Sequence, residues 1–186
     1  MPTSPSQTYS WKLSGTDTLI YSETISMSGK VSASGLSPIW AMSRVGTKLY
    51  DSVANEVFIS DSVVQIFDGN SASVSVSSQR LLSDTLRVGA TWTGSPRFIT
   101  RSGAEVSIAA KVEDYYSSFD NTYSDVFLVS YSPSVIGSRV PAEGEYQSGS
   151  KINRYFAKGV GMILEIVKDA TGKIIFKKEL TETRIN

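Results

Sequence analysis

Ser148-Gly149-Ser150-Lys151 matches the Ser-x-x-Lys spacing in which a lysine replaces histidine as the partner of a serine nucleophile. That chemistry needs the serine at a helix start, so that the lysine folds back on it. Here the motif lies in a Gly/Ser stretch entering a strand, with no Ser-Asp-Asn or Lys-Thr-Gly companion, and a plain loop is the favoured reading. Glu113, Asp114, Asp120 and Asp125 place four carboxylates within thirteen residues. Two carboxylates suffice for glycoside hydrolysis without histidine, and several could ligate calcium. Asp120-Asn121, however, falls between two strands, where such residues serve local backbone bonding, and the calcium-loop spacing is absent. Trp11, Trp40 and Trp92 could stack on sugar rings or cover an apolar ligand, but they lie in predicted strands, where aromatics also serve packing. Gly159-Val160-Gly161 lacks the preceding turn and following helix of a phosphate cradle; glycines inside a strand mark a bulge or a close neighbour. The sequence therefore nominates no catalytic, cofactor-binding or metal-binding residue, and it leaves ligand-binding residues unassigned.

Composition narrows the chemistry further. Histidine and cysteine are both absent, which removes thiol nucleophiles, disulfides, Cys/His zinc sites and imidazole acid-base catalysis. Eighteen basic residues balance eighteen acidic ones, so no net field draws the chain to nucleic acid or anionic lipid. Charged residues are 19% of the 186, below the roughly 25% of ordinary soluble domains. The polarity comes instead from 32 Ser and 14 Thr, whose short hydroxyl side chains suit the wet faces of strands better than helix interiors. No stretch approaches the roughly 20 apolar residues of a membrane-spanning helix.

The elements that must position these residues read as β throughout. Leu19, Tyr21, Ile25 and Met27 alternate with polar residues, the period of a half-buried strand. Further candidates are 39–50, 57–60, 63–67 and, across Asp68-Gly69-Asn70, a hairpin into 72–76. Residues 81–92 follow, then 97–100 and 105–116. Val106, Ile108, Ala110 and Val112 in the last of these alternate strictly with Glu105, Ser107, Lys111 and Glu113. By contrast, 126–129 and 162–164 are apolar at every position, as in strands covered above and below. Residues 137–149 read as a long loop. A terminal hairpin, 155–167 with 173–183, closes the sheet, and a short helix would fit only near 49–57 or in the 137–149 loop. The expected fold is all-β, with one or two short helices at most. It is a single curved antiparallel sheet of about eight to eleven strands, a half-barrel with a concave apolar face. Residues 1–8, with two prolines and no charge, read as a flexible linker ahead of one β domain at 9–186.

Three segments resemble a group of exported lipoprotein-like domains of Gram-negative bacteria, particularly those related to Bacteroidetes and Chlorobi. They are Leu86-Arg87-Val88-Gly89-Ala90-Thr91-Trp92; Val112 to Tyr116 leading into Thr122 to Val129; and Tyr155 to Gly161 with the later Glu179-Leu180. Departures are Asp84-Thr85, where a proline is usual, and Ser124, where the group has a glycine-phenylalanine turn. The resemblance covers about the last hundred residues and implies a curved antiparallel sheet similar to the lipoprotein-carrier (LolA-like) fold. It carries over no catalytic residue.

The resulting expectation is a non-enzymatic cell-envelope protein whose concave face binds an apolar ligand or a partner protein. It would be periplasmic or outer-membrane-associated after loss of a signal peptide, with no cofactor and no nucleic-acid partner. A lipid anchor on a cysteine just before Pro2 of the native precursor would hold it at the membrane, the alternative being an ordinary cytosolic start that frays. The rival function is a carbohydrate-binding or glycosidase-like module using exposed tryptophan and the 114–125 carboxylates.

Overall fold

A computed structural model describes residues 6–14, 19–31, 38–46, 55–60, 63–68, 78–83, 86–93, 98–99, 104–140 and 148–185. Its strands are β1 (Ser6–Ser14), β2 (Leu19–Val31), β3 (Pro38–Gly46), β4 (Asn55–Ser60), β5 (Val63–Asp68), β6 (Ser78–Ser83), β7 (Thr91–Thr93), β8 (Phe98–Ile99), β9 (Glu105–Phe119), β10 (Tyr123–Ile136), β11 (Lys151–Ala157), β12 (Gly161–Lys168) and β13 (Ile174–Ile185). No helix occurs among the described residues. The strands form one antiparallel sheet in the order β6-β5-β4-β3-β2-β1-β13-β12-β11-β10-β9-β7, with β8 also on β9. Sheet ends β6 and β7 are not paired with each other among the described residues. The all-β, single-sheet expectation holds, with more strands than the eight to eleven anticipated.

The chain divides into two compact units, residues 1–84 with 180–186, and residues 85–179. In the first, consecutive strands β1 to β6 pair as neighbours, and Thr181 Oγ1 of β13 donates to the Ser10 carbonyl of β1 at 3.0 Å. β1 opens at Ser6, inside the stretch read as a linker. The expected strand at 72–76 and residues 49–54 of the helix considered at 49–57 lie outside the described residues, while 55–57 belong to β4 and not to a helix.

The second unit holds the described core. Val106, Val112, Val126, Val129, Tyr131 and Ile152 are wholly buried. Val106, Ile108, Ala110 and Val112 stand opposite Val135, Pro133, Tyr131 and Val129, so the alternation in β9 places one continuous apolar face against the interior. Burying such branched side chains stabilises by roughly 1.5–3 kcal/mol each.

Two sequence readings are corrected here. Residues 155–167 are not one strand: β11 ends at Ala157, and Lys158-Gly159-Val160 turns the chain into β12, with the Val160 N–H donating to the Ala157 carbonyl at 3.2 Å. Gly159 and Gly161 adopt φ values of 75° and 97°, a region open to glycine at little cost. Gly159 is thus a turn residue, whereas Gly161 opens β12 opposite Ala157, next to a register shift of the β11–β12 ladder. Nor is 81–92 continuous. β6 ends at Ser83 and β7 begins at Thr91; between them residues 86–90 form no strand, and the Ala90 N–H donates to the Arg87 carbonyl at 2.9 Å in a turn that leads to β7.

Candidate binding site

The β9–β10 ladder shifts register between Leu128 and Val129, where Val129 faces Val112 and Leu128 faces Asp114. Glu113 is therefore the extra residue of a bulge. The bulge aims its carboxylate across the face opposite the apolar core, where it meets Lys111 Nζ at 2.7 Å, Lys151 Nζ at 3.3 Å and Ser130 Oγ, which donates at 2.7 Å. Hydrogen bonds from Lys111 and Ser130, with the nearby Lys151 charge, hold the Glu113 pKa down at about 2 against burial, which pushes it up. Beside this cluster lies a cleft of about 470 Å³ lined by Thr91, Thr93, Ala109, Lys111, Glu113 and Ser132. Trp92, Ala110 and Ser130 complete its walls, which thus combine hydroxyls and paired charges with two alanine methyls and part of the buried indole.

Further along the same face the chemistry changes. One register row runs Asp114, Leu128, Tyr155, Leu164, Glu179, and the next runs Lys111, Ser130, Asn153, Ile166, Lys177. Tyr116, Phe119, Leu128, Tyr155, Leu164 and Ile166 are all half-buried. Phe119 packs on Tyr116 and Tyr155 at centroid distances of 5.6 and 5.0 Å, and Tyr116 stacks on Tyr155 at 6.3 Å, within the range of favourable ring pairs. Burial and then the Asp114 charge push both tyrosine pKa values up. This face is polar at the Glu113 end and aromatic at the hairpin end.

The sequence-derived candidates separate. Ser148 Oγ accepts the Val135 N–H at 3.0 Å while the Lys151 ammonium goes to Glu113, so each member of the Ser-x-x-Lys spacing has a structural partner. Asp114 Oδ1 accepts the Tyr115 N–H at 2.8 Å. Asp120 and Asn121 sit at φ values of 52° and 53° in the β9–β10 turn, as their turn chemistry predicts. Asp125, also at a positive φ of 53°, accepts a short hydrogen bond from the Tyr115 hydroxyl. Glu113, Asp114 and Asp125 thus bond to different groups, and Asp120 serves the turn through its backbone. No group of three His, Cys, Asp or Glu suited to a metal ion occurs among the described residues. Trp92 is buried, edge-on to Tyr131 at 6.5 Å; Trp11 and Trp40 lie in β1 and β3.

Two features escaped the sequence reading. Ser130 joins Glu113 only through the bulge, which no residue spacing announces. On the core face, Arg154 Nε meets Glu165 Oε2 at 2.5 Å, its guanidinium lies 4.8 Å over the Tyr131 ring, and Lys178 stands opposite Glu165. The signal for this second group was present: Arg154 alternates with Ile152 and Phe156, so a strand that buries those two must bury the arginine.

No family model and no curated protein matches the chain. Solved structures do. An exported-class protein of Bacteroides fragilis with a YmcC-like fold aligns with a TM-score of 0.55 at 9% identity, over 96% of this chain and 95% of that one. A β-barrel-like protein of a domain of unknown function from Brucella abortus aligns with a TM-score of 0.44 at 9% identity, over 98% of each chain. At such identity the first likeness is one of fold, and it extends over nearly the whole of both chains.

Proposed function

We propose that this is a non-enzymatic protein of the Gram-negative cell envelope, exported and lipid-anchored, that acts by binding a partner protein or an apolar ligand. The observation that carries the binding reading is the half-buried cluster of Tyr116, Phe119, Leu128, Tyr155 and Leu164 on the face that also carries Glu113 and Ser130. Apolar surface left accessible beside charged residues marks an interaction site. Catalysis finds less support: Glu113, the carboxylate at the cleft, is held ionised by two ammonium groups and a hydroxyl, whereas a general acid or base works best with a pKa near the operating pH. Export is supported by the fold shared with the Bacteroides fragilis protein, and the lipoprotein-carrier relationship suggested by the 86–180 segments is part of the same proposal.

Fractionation of the bacterium that carries the gene, combined with labelled-palmitate incorporation, tests the placement. The native product is expected in the envelope fraction and acylated; a cytosolic, unlabelled product overturns export and anchoring together. A carbohydrate-binding role is the second reading, favoured by the Tyr116–Tyr155 stack beside the Asp114 carboxylate. Retention on oligosaccharide matrices, lost in Tyr155→Ala, would select it.

A further inference from the structure

Resting on the binding reading, we infer that the open edge of β9 beyond Val112 docks an extended, basic segment of a partner protein as an added strand. β9 runs to Phe119, but on the side away from β10 its partners among the described residues end early. β8 covers Val106 and Glu105, β7 covers 109–111, and Gly89 and Ala90 exchange hydrogen bonds with Val112. From Glu113 to Phe119 no described strand lies alongside. Such an edge presents unpaired backbone groups, which an extended peptide can complete.

The way this edge is guarded identifies its occupant. The Tyr115 N–H donates to the Asp114 carboxylate at 2.8 Å, so a side chain satisfies a group that a neighbouring strand otherwise takes. An incoming strand supplies a carbonyl to that N–H and releases the carboxylate. A cation opposite Asp114 then compensates the released charge. Residues 113–125 contain Glu113, Asp114, Asp120 and Asp125 and no lysine or arginine, and Glu113 is already neutralised by Lys111 and Lys151. The remaining carboxylates favour a basic segment and repel an acidic one.

Register specifies the pattern. Asp114 and Tyr116 point to the same face because they are two residues apart in β9. A strand laid beside them at roughly 5 Å presents alternate side chains to that face. The first cation meets Asp114. The second, two positions on, lies over the Tyr116 ring, itself stacked on Tyr155, where an ammonium or guanidinium is attracted by the ring face. The occupant is therefore an extended segment with Arg or Lys at alternate positions and apolar residues able to reach the neighbouring row.

The test is fluorescence anisotropy of labelled ten-residue peptides against the full chain, folding being checked by circular dichroism. A peptide with arginine at alternate positions is expected to bind, its acid-substituted counterpart not. N-methylation of alternate backbone nitrogens, which keeps every side chain, is expected to abolish binding, and Asp114→Lys to weaken it by roughly tenfold or more. Equal binding of the N-methylated peptide overturns strand addition; undiminished binding by folded Asp114→Lys overturns the charge-selected edge. Should the basic peptide not bind while an oligosaccharide or lipid extract binds and is lost in Tyr155→Ala, this inference fails and the binding reading stands.

Discussion

Two carboxylates in the second unit carry opposite energetic consequences. Glu113 lies on the wetter face between two half-exposed lysines, where solvent screening leaves an ion pair worth about 1 kcal/mol or less. Glu165 is packed with Arg154, their side chains only 13% and 10% exposed, and removing one partner of a buried pair strands a charge at a cost of roughly 3–5 kcal/mol. Glu165→Ala should therefore destabilise the protein severalfold more than Glu113→Gln in urea unfolding. The pH dependence separates them further. The folded pKa of Glu113, about 2, lies below its ordinary value of 4.5, so its contribution is complete above about 4.5 and is lost as pH falls through about 2. Stability measured between pH 5 and 2 should fall less steeply for Glu113→Gln than for the wild-type protein. Equal slopes would show that the carboxylate is not held by its lysines and Ser130.

At the scale of elements, turns decide where strands stop. Gly149 adopts φ +81°, and an added Cβ would come 3.1 Å from the Ala170 Cβ, whereas Gly159, at φ +75°, has open space around it. Gly159→Ala should cost only the left-handed penalty, roughly 1–2 kcal/mol, while Gly149→Ala adds a steric clash and should cost more. Urea midpoints of the two variants check the order, and a smaller loss at Gly149 would mean that the Asp169–Lys173 turn yields to admit the methyl. That turn is otherwise well tied: Asp169 Oδ1 accepts from Thr171 N, Thr171 Oγ1 and Lys173 N at 2.9, 2.6 and 3.0 Å. The β9 alternation and the Asp120-Asn121 turn were legible because each follows from local sequence. The break of 155–167 into β11 and β12 was less so, since Tyr155 to Val167 is nearly all apolar apart from Lys158 and Glu165, and a continuous apolar run does not say where it folds back.

For the whole molecule the expectation is a protein of strands. Far-ultraviolet circular dichroism should give less than about a quarter helix, against roughly 30–35% in ordinary globular domains; a higher value would contradict the sheet order described here. Sequence by itself determined the fold class, because a period of two in hydrophobicity and an abundance of hydroxyl residues suit pleated, half-wet surfaces and no 3.6-residue stripe competes. It also determined what chemistry is unavailable, since residues absent from a chain cannot act in it. Only the tertiary structure decided which groups meet. The bulge at Glu113 brings a carboxylate from β9 onto Ser130 of β10 and Lys151 of β11, across 17 and 38 residues. The register of β11 on β12 brings Arg154 to Glu165 inside the core. Both depend on strand pairing, and a shift of one residue in that pairing would turn each of these side chains to the other face.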